Sequence, residues 1–467
     1  MRPLTLEEMV VAIEGRVYGS ISAPPVTSVS TDSRTARPGA LFIAIKGEQH
    51  DGHAFVADVL DQGATAAVVS HIAEVPARYH TGGRLIQVPD TVAALGKLAA
   101  WYRKQFAAQV IGVVGSNGKT TTKDMIAAVL GHSRKGKAAQ ASFNNHIGVP
   151  LTLLAVEPAD EFVVVEIGTN HPGEVAALGR ITKPDIAVMT SIGEEHLEFF
   201  RDLEGVAAEE FSIVPTLRGR GFLVMSDQAA QFATTARRNG IASLVYGLDE
   251  KADLRATDIS GDAGGQTFKV NGRFECRLPA LGRHNVVNAL AAVALGMRFR
   301  MSDEDIAAGL AGARMPSMRM EQRRLGDITL INDAYNANPS SMRAAFEVMD
   351  ALPAGDGRKV FILGDMRELG DESQRCHQMV GRDAGRSSAR VIITVGSMAR
   401  VMADGATGTA GTTKRIYAFP TVEALAARIG ELLQPGDVAL LKASRGVRLE
   451  RLIETIGVPA AGAGVRV

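Results

Sequence analysis

The chain has 467 residues, more than a single hydrophobic core usually supports, so we expect two or three domains and favour three. Hydrophobic residues make up 46% of the sequence and charged residues 22%, which is typical of a soluble globular protein. The 51 basic and 51 acidic residues cancel, which argues against nucleic acid or an anionic membrane surface as a partner. An anionic ligand must therefore be held by local groups.

The N-terminus and the cysteines predict a cytoplasmic protein. The chain reaches Glu7 and Glu8 at once and lacks the basic-then-apolar pattern of a signal peptide. Its apolar runs fall short of the roughly 20 residues that span a bilayer, so we expect no membrane insertion. Cys276 and Cys376 are far apart in sequence and have no metal-ligand spacing, so neither a disulfide framework nor a zinc site is predicted.

Short apolar strands alternate with helical stretches, which predicts an α/β protein. We assign residues 1–107 to a small α/β domain. Residues 108–314 contain apolar runs separated by amphipathic segments, which predicts a parallel sheet covered by helices. A Gly and Pro stretch near 312–317 is the expected hinge, and residues 315–467 are predicted to form a Rossmann-like domain. Its five strand candidates are 329–331, 360–363, 391–395, 415–419 and 438–441.

A glycine loop follows the apolar strand at 110–114 and precedes a helical pattern. In that context successive backbone N–H groups and the helix N-terminus surround a polyphosphate. Lys119 is predicted to neutralise the β- and γ-phosphates, and the Thr120 hydroxyl to hold Mg²⁺. The strict phosphate-loop pattern has glycine where this chain has Val113, so we predict a variant loop. The predicted nucleotide-binding residues are Gly115, Ser116, Asn117, Gly118, Lys119, Thr120 and Thr121.

Two polar residues follow neighbouring predicted strands of the central sheet. Glu166 ends the strand 162–165, where a carboxylate reaches a metal held by the phosphate loop. His196 lies just beyond the strand that starts at Ile186 and is expected to face the same crevice. The alternatives are a purely structural strand-end carboxylate and a structural histidine.

Several further strings have an order and spacing that resemble the Mur ligases over essentially the whole chain. They are Asn144-Asn145-His146-Ile-Gly148-Val-Pro150, Glu166-Ile-Gly, His196-Leu-Glu198, Gly282-Arg-His284-Asn285-Val-Val-Asn288, Asn332-Asp333-Ala-Tyr335-Asn336-Ala-Asn338-Pro339 and Leu363-Gly364-Asp365-Met366-Arg-Glu368-Leu-Gly370. The strings Ser30-Thr31-Asp32-Ser33-Arg34, Lys46-Gly47 and Asp51-Gly-His53 are similar to the uridine-nucleotide-binding module of that family.

This resemblance implies an ATP- and Mg²⁺-dependent ligase that forms an amide bond. The strings at 332–339 and 363–370 look like those of the members that add D-alanyl-D-alanine to UDP-N-acetylmuramoyl-tripeptide. These two compounds are therefore the expected partners of a monomeric enzyme. The alternatives are another Mur-type amino-acid ligase or a folylpolyglutamate synthase. A third alternative, from another class, is a binding protein that hydrolyses ATP only to change shape.

The family carries a carbamylated lysine fourteen residues after the metal-binding histidine, and this chain has Glu210 there. We predict that Glu210 replaces the carbamate, because it presents the same anionic head on a shorter arm. The alternative is a solvated glutamate beside Glu209 on a helix face.

The resemblance also implies the remaining nucleotide contacts. Asn285 and Asn288 share one helix face and are predicted to pair with adenine, although Asn285 fits a helix cap as well. Arg319 is expected near the γ-phosphate, or else on the surface. Asp333 and Tyr335 are expected on the ribose and phosphates.

The substrate-binding residues follow from the same matches. Asn336 and Asn338 fit either a turn with a helix cap or a substrate contact. The predicted substrate-binding set is Ser33, Arg34, Lys46, Asp51, Asn144, Asn145, His146, Asn336 and Asn338.

Overall fold

The computed structural model describes residues 1–21, 23–262, 264–411 and 413–456. An Ala/Gly-rich stretch at 459–465, which we expect to be frayed, lies outside these residues. Within the described residues the strands form three sheets, each with its own helices, and the predicted three-part α/β architecture is confirmed. We call the three parts the N-terminal, central and C-terminal units.

The N-terminal unit contains a five-stranded sheet in the order β1-β5-β4-β3-β2, with β1 antiparallel to β5 and the other neighbours parallel. Its strands are β1 (Arg16–Gly19), β2 (Ser28–Ser30), β3 (Ala40–Ile43), β4 (Ala66–Val69) and β5 (Gly82–Gln87). Its helices are α1 (Leu6–Ile13), α2 (Val56–Asp61) and α3 (Thr91–Tyr102). Thr5 and Glu8 form a capping box at the start of α1, and the Asp90 side chain caps α3.

The central unit contains a nine-stranded sheet in the order β14-β13-β12-β11-β10-β9-β6-β8-β7. The strands are β6 (Gln109–Val114), β7 (Gly136–Ala138), β8 (Phe162–Glu166), β9 (Ile186–Met189), β10 (Phe222–Ser226), β11 (Ala242–Gly247), β12 (Leu254–Asp262), β13 (Gly265–Val270) and β14 (Phe274–Leu278). The helices are α4 (Lys119–Gly131), α5 (Gly148–Leu154), α6 (Glu174–Thr182), α7 (Leu197–Phe200), α8 (Leu203–Phe211), α9 (Ala233–Arg238), α10 (Arg283–Arg298) and α11 (Asp303–Ala311).

The parallel sheet predicted for the central unit is confirmed, and it continues into an antiparallel hairpin that the sequence analysis did not identify. Strands β6 to β11 pair in parallel, but β13 pairs antiparallel with both β12 and β14. The hairpin between β13 and β14 turns at Asn271 and Gly272, which both have positive φ angles of 48° and 66°. Asn-Gly is the preferred pair for such a turn, and alternate residues of these strands, such as Phe268 and Val270, are buried in the core that also contains α10. Strands β12, β13 and β14 therefore extend the parallel sheet at one edge.

The C-terminal unit contains a six-stranded sheet in the order β15-β16-β20-β17-β18-β19. The strands are β15 (Glu321–Leu325), β16 (Ile328–Asn332), β17 (Lys359–Gly364), β18 (Val391–Val395), β19 (Arg415–Phe419) and β20 (Val438–Lys442). The helices are α12 (Pro339–Ala351), α13 (Ser373–Arg386), α14 (Ala399–Thr407), α15 (Val422–Ala426), α16 (Ile429–Leu432) and α17 (Leu452–Ile456). The five predicted strands are all present, and β15 is an additional antiparallel edge strand.

Loops that leave the carboxyl ends of parallel strands carry most of the predicted site residues. Strand β6 lies between β9 and β8, so the chain continues from β6 to strands on one side of it (β7 and β8) and then to strands on the other side (β9 and β10). This arrangement creates a crevice at the ends of β6, β8 and β9, which is where ligands bind in open α/β sheets. In the described residues no helix has the length and apolar character that crossing a bilayer requires.

The N-terminal and central units share a continuous apolar core. Helix α3 packs against α1 on one side and against α5 and α6 on the other. Arg103, which follows α3 and is only 2% exposed, donates from Nε to the Thr182 carbonyl at 2.9 Å and from Nη2 to Asp185 Oδ2 at 2.7 Å. Asp185 also accepts from the Val110 amide at 2.9 Å. Arg103 therefore ties the end of α3 to the start of β6 and β9.

We expect the substitution Arg103→Met to lower the free energy of unfolding by about 3 kcal/mol, because it removes the cation that pairs with the partly buried Asp185 carboxylate and the donor to the Thr182 carbonyl. The matched control is Arg78→Met, which removes a pair with Asp61 whose side chains are 62% and 60% exposed. This control is expected to cost less than about 1 kcal/mol. Urea unfolding followed by circular dichroism measures both, and equal shifts in the two variants would contradict the assigned role of Arg103.

Candidate active site

A cavity of about 730 Å³ lies between the central and C-terminal units. Its lining includes residues 116–121 of the phosphate loop, residues 142 and 144–146 before α5, and residues of the loops after β8 and β9. From the C-terminal unit it includes residues 333, 335–338, 340–341 and 444–446. The site is therefore assembled from two α/β units that face each other.

The phosphate loop requires its two glycines. Gly115 and Gly118 have φ angles of +120° and +83°, a region that residues with side chains rarely adopt. A Cβ atom on Gly118 would lie 2.5 Å from Asn288 Oδ1, and one on Gly115 would lie 2.4 Å from Thr190 Oγ1. Helix α4 begins directly after Gly118, so its free N–H groups point to the loop. The variant loop without glycine at Val113 thus still forms an anion-binding turn.

Lys119 lies at the centre of the site, with its side chain 13% exposed. Its Nζ donates to the Gly115 carbonyl at 2.5 Å and lies 3.9 Å from Glu195 Oε2. Burial alone would lower the pKa of Lys119, but the carboxylates of Glu195, Glu210 and Glu166 outweigh it and raise the pKa above its usual value. The ammonium therefore stays charged and is available to a phosphate group.

Two of the predicted metal ligands are buried carboxylates with a free oxygen. Glu166 Oε1 accepts from Asn144 Nδ2 at 2.9 Å, and Glu210 Oε2 accepts from the Gly115 amide at 2.7 Å. Among the described residues, Glu166 Oε2 and Glu210 Oε1 have no hydrogen-bond partner. Glu210 is 1% exposed, so the alternative of a solvated helix-face residue is wrong. Burial raises the pKa of Glu210 to about 8.

Glu195 is a site residue that our sequence reasoning missed. Its Oε2 lies 3.9 Å from Lys119 Nζ and 3.8 Å from His196 Nε2, while its buried Oε1 has no partner within the described ranges. Burial raises the pKa of Glu195, although Lys119 opposes this effect. The available signal was its position directly before His196 at a strand end.

These groups fit Mg²⁺. Three buried carboxyl oxygens without hydrogen-bond partners in the described part of the chain, from Glu166, Glu195 and Glu210, are grouped around the Lys119 ammonium. Hard oxygen ligands are what Mg²⁺ prefers. A buried carboxylate that lacks a partner is costly, and a bound cation would remove that cost.

The two predicted adenine-binding asparagines form a connected pair on α10. Asn288 Nδ2 donates to Asn285 Oδ1 at 3.1 Å, and Asn285 Nδ2 donates to the Leu281 carbonyl at 2.8 Å. The N-cap of this helix is Gly282, so Asn285 is not the cap. Asn288 supports the turn of the phosphate loop at Gly118. The neighbouring His284 stays neutral, because burial lowers its pKa to about 4.

Arg319 connects the C-terminal unit to the phosphate loop. Its Nη2 donates to Thr120 Oγ1 at 3.0 Å, and its guanidinium carbon lies 4.2 Å from the centre of the Tyr335 ring. The flanking residues Met318 and Met320 have positive φ angles of 60° and 53°, a strained backbone that projects Arg319 into the site. Asp333 accepts from the Met320 amide at 3.1 Å, which anchors this linker.

Asn338 is a helix cap, which is one of the two roles predicted from the sequence, and its side chain also contacts the phosphate loop. With Ser341 it forms a capping box at the start of α12. Its Nδ2 also donates to Asn117 Oδ1 at 2.9 Å, and Asn117 Nδ2 donates to Ser340 Oγ at 3.0 Å. Asn336 lines the cavity, and its carbonyl accepts from Lys442 at 3.2 Å. The C-terminal unit is thus docked directly on the phosphate loop.

The other predicted substrate residues fall into two groups. Asn144, Asn145 and His146 line the cavity, and Asn145 Oδ1 also accepts from the Gly148 amide at 3.0 Å at the start of α5. Ser33, Arg34, Lys46 and Asp51 belong instead to the N-terminal unit.

In the N-terminal unit, hydrogen bonds between neighbouring polar side chains fix their orientation. Arg34 makes two hydrogen bonds to Asp32, at 2.9 and 2.7 Å, and lowers the pKa of Asp32 to about 2. Asp51 accepts from His53 at 2.6 Å, and His53 Nε2 accepts from the Ser70 amide at 2.9 Å. Both nitrogens of His53 are therefore engaged in hydrogen bonds.

A phosphate loop at the carboxyl edge of a parallel sheet, faced by a second α/β unit, defines a nucleotide-dependent enzyme. The chain matches the Mur ligase family, catalytic domain over residues 25–103, the Mur ligase middle domain over 113–296 and the Mur ligase, glutamate ligase domain over 318–445. The chain therefore belongs to the Mur ligase family, whose members are ATP-dependent ligases.

Its full-length relatives are UDP-N-acetylmuramoyl-tripeptide–D-alanyl-D-alanine ligases. The one from Bacillus subtilis is 36% identical over 94% of this chain and 96% of its own length. A crystal structure of MurF from Acinetobacter baumannii has a TM-score of 0.87 and 32% identity, and covers 98% of this chain and 99% of that one. MurF from Thermotoga maritima in complex with ADP has a TM-score of 0.78 and 26% identity, with 92% and 97% covered.

We expect Gly118→Ala to raise the Kd for ADP by at least about tenfold, because the new Cβ meets Asn288 and the positive φ angle is strained. Gly131→Ala is the matched control, since Gly131 lies at the other end of α4 with open space around it. This control is expected to leave the Kd unchanged. Isothermal titration calorimetry measures both, and unaltered ADP binding by Gly118→Ala would contradict the assigned loop geometry.

Proposed function

We propose that the protein joins D-alanyl-D-alanine to UDP-N-acetylmuramoyl-tripeptide with consumption of ATP, and so completes the pentapeptide precursor of peptidoglycan. The observation that carries this proposal is the docking of the C-terminal unit on a phosphate loop that is surrounded by buried carboxylates. The full-length relatives named for this reaction support it. A match to the Mur ligase family over residues 25–103 favours it over folylpolyglutamate synthase, which is expected to lack a uridine-binding module.

In this proposal ATP lies along the phosphate loop. The residues Ser116 to Thr121 and the N-terminus of α4 hold its phosphates, with Lys119 on the β- and γ-phosphates. Asn285 and Asn288 are assigned to the adenine end, and Asp333 and Tyr335 to the ribose and α-phosphate side. Arg319, which already reaches Thr120, is assigned to the γ-phosphate.

We assign Mg²⁺ binding to Thr120, Glu166, His196 and Glu210. Bound there, Mg²⁺ would neutralise charge on the transferred phosphoryl group. Thr120 and Glu166 lie beside the phosphate loop, and His196 and Glu210 are assigned to a second ion. Glu210 is proposed to provide the carboxylate that a carbamylated lysine provides elsewhere in the family, because it is buried and has a free oxygen directed away from its bond to Gly115.

A carboxylate and an ammonium do not condense in neutral water, so the carboxylate must first be activated by ATP. The tripeptide carboxylate attacks the γ-phosphorus, the bond from this phosphorus to the bridging oxygen of ADP breaks, and an acyl phosphate forms. Lys119 and Arg319 stabilise the charge that spreads over the transferred group. The neutral amine of D-alanyl-D-alanine then attacks the acyl carbon, and phosphate leaves to give the amide.

An acyl phosphate hydrolyses if water reaches it, so the interface between the units is proposed to keep water out of the site. The contacts of Asn117 with Asn338 and Ser340 close the phosphate loop against α12. Ser33, Arg34, Lys46 and Asp51 of the N-terminal unit are assigned to the UDP end of the substrate. Asn144, Asn145, His146 and Asn336 are assigned to its peptide. We expect the enzyme to act in the cytoplasm as a monomer.

Phosphate release tests the proposed substrates. We expect release only when ATP, UDP-N-acetylmuramoyl-tripeptide and D-alanyl-D-alanine are all present, because the acyl phosphate needs both a carboxylate and an amine to turn over. A coupled phosphate assay measures the rate. Release with a folate and glutamate instead would overturn the substrate assignment, and release with ATP alone would indicate a nucleotide-driven binding protein.

The role of Glu210 predicts how activity responds to bicarbonate. The parent enzyme should keep its rate after bicarbonate depletion, because its carboxylate needs no modification. Glu210→Lys should gain activity by about tenfold or more when bicarbonate is added, since burial favours the neutral amine that carbon dioxide carbamylates. Glu210→Gln is the control, and it should stay slow in both conditions. A depleted parent enzyme that bicarbonate reactivates would rule out this role.

A further inference from the structure

The loop between β17 and α13 reaches across the unit interface and touches α7, the helix that begins after His196. Glu368 of this loop places Oε2 at 2.6 Å from His196 Nδ1. Within the described residues His196 Nδ1 has no hydrogen bond of regular geometry, and Glu368 is the carboxylate that approaches it most closely in the C-terminal unit. The opposite ring nitrogen, Nε2, faces the carboxylate cluster and lies 3.8 Å from Glu195 Oε2. The imidazole is therefore held from one unit and directed into the site of the other.

The backbone on both sides of this contact is unusual. His196 and Glu368 both have positive φ angles, of 49° and 62°. The left-handed conformation costs free energy for residues other than glycine, and it persists where surrounding contacts enforce it. Here the Glu198 amide donates to the Glu368 carbonyl at 3.2 Å. A Cβ on Gly370 would lie 3.0 Å from Glu198 Cα, so the two chains approach closely.

Apolar contacts secure the same junction. Leu197 and Phe200 of α7 lie in one buried cluster with Met366 and Leu369 of the loop. Separating the units would expose these side chains to water. The ion-pair contact between His196 and Glu368 is thus part of a packed junction and forms only when the C-terminal unit is docked.

A histidine that ligates a metal through one ring nitrogen needs an acceptor for the proton on its other nitrogen, which fixes the tautomer and the ring orientation. We propose that Glu368 is the positioning residue that supplies this acceptor to His196, so that docking of the C-terminal unit completes the second Mg²⁺ site. This inference rests on the proposed metal role of His196. Because coupling between two sites is reciprocal, a cation bound at His196 in turn favours docking.

The test measures metal binding directly. The full-length protein, saturated with a non-hydrolysable ATP analogue, is titrated with Mn²⁺ while free Mn²⁺ is read by electron paramagnetic resonance. Glu368→Ala is expected to raise the Kd of the second ion by about tenfold or more, which is typical of losing a partner that orients a metal ligand. Glu368→Gln keeps an acceptor oxygen and should lie between Glu368→Ala and the parent.

The matched control is Arg343→Gln. Arg343 Nη2 pairs with Glu194 Oε2 at 2.8 Å, so this variant removes another ion pair that joins the same two units without touching His196. It is expected to change the Kd of the second ion by less than about threefold. Equal weakening by Glu368→Ala and Arg343→Gln would mean that docking alone matters, and it would overturn the inference.

His196→Ala separates failure of the inference from failure of the proposed function. Loss of the second ion in His196→Ala together with an unchanged Kd in Glu368→Ala would reject the role of Glu368 and leave His196 as a ligand. Retention of both ions in His196→Ala would reject the metal role of His196 itself. Thermal unfolding of each variant, with midpoints close to the parent, confirms that the Kd values report on folded protein.

Discussion

Three buried carboxyl groups around Lys119 are the constraint on which the site depends. One ammonium faces the carboxylates of Glu166, Glu195 and Glu210, and each of these carboxylates has a buried oxygen without a partner in the described part of the chain. Such an arrangement is unfavourable by itself, and burial raises the pKa of Glu195 and Glu210 in response. Strain of this kind is tolerated where a ligand relieves it.

The C-terminal unit meets this cluster through polar contacts that the ligand must share or displace. The Thr120 hydroxyl, assigned to Mg²⁺, accepts from Arg319, and the Asn117 side chain is occupied by Asn338 and Ser340. Asn338 and Ser340 lie at the start of α12, and Arg319 lies on the linker before β15. Groups from two separate segments of the C-terminal unit therefore respond together when the phosphate loop is filled.

The sequence predicted the features that depend on local patterns. The apolar runs identified β6, β8, β9 and β10, and Gly118-Lys119-Thr120 identified the phosphate loop, because each is encoded within a few consecutive residues. The hairpin at Asn271-Gly272 was also encoded locally, but our sequence analysis did not identify it. Strand β15 has a charged sequence, Glu321 to Leu325, without apolar alternation, and forms only because β16 offers its free edge.

Glu195 illustrates what could not be predicted from the sequence. A glutamate beside a histidine is common on protein surfaces, and its burial results from the packing of β6, β9 and α8 around Lys119. The contact of His196 with Glu368 likewise joins residues that are far apart in sequence and in different units. Positions of this kind are defined by tertiary packing, which local patterns do not encode.

Glu210 has one further consequence. A carboxylate made by modifying lysine exists in only a fraction of molecules at any moment and is lost in acid. A glutamate in the same position needs no modification after translation. With Glu210 in the proposed role, the population is chemically uniform at this position.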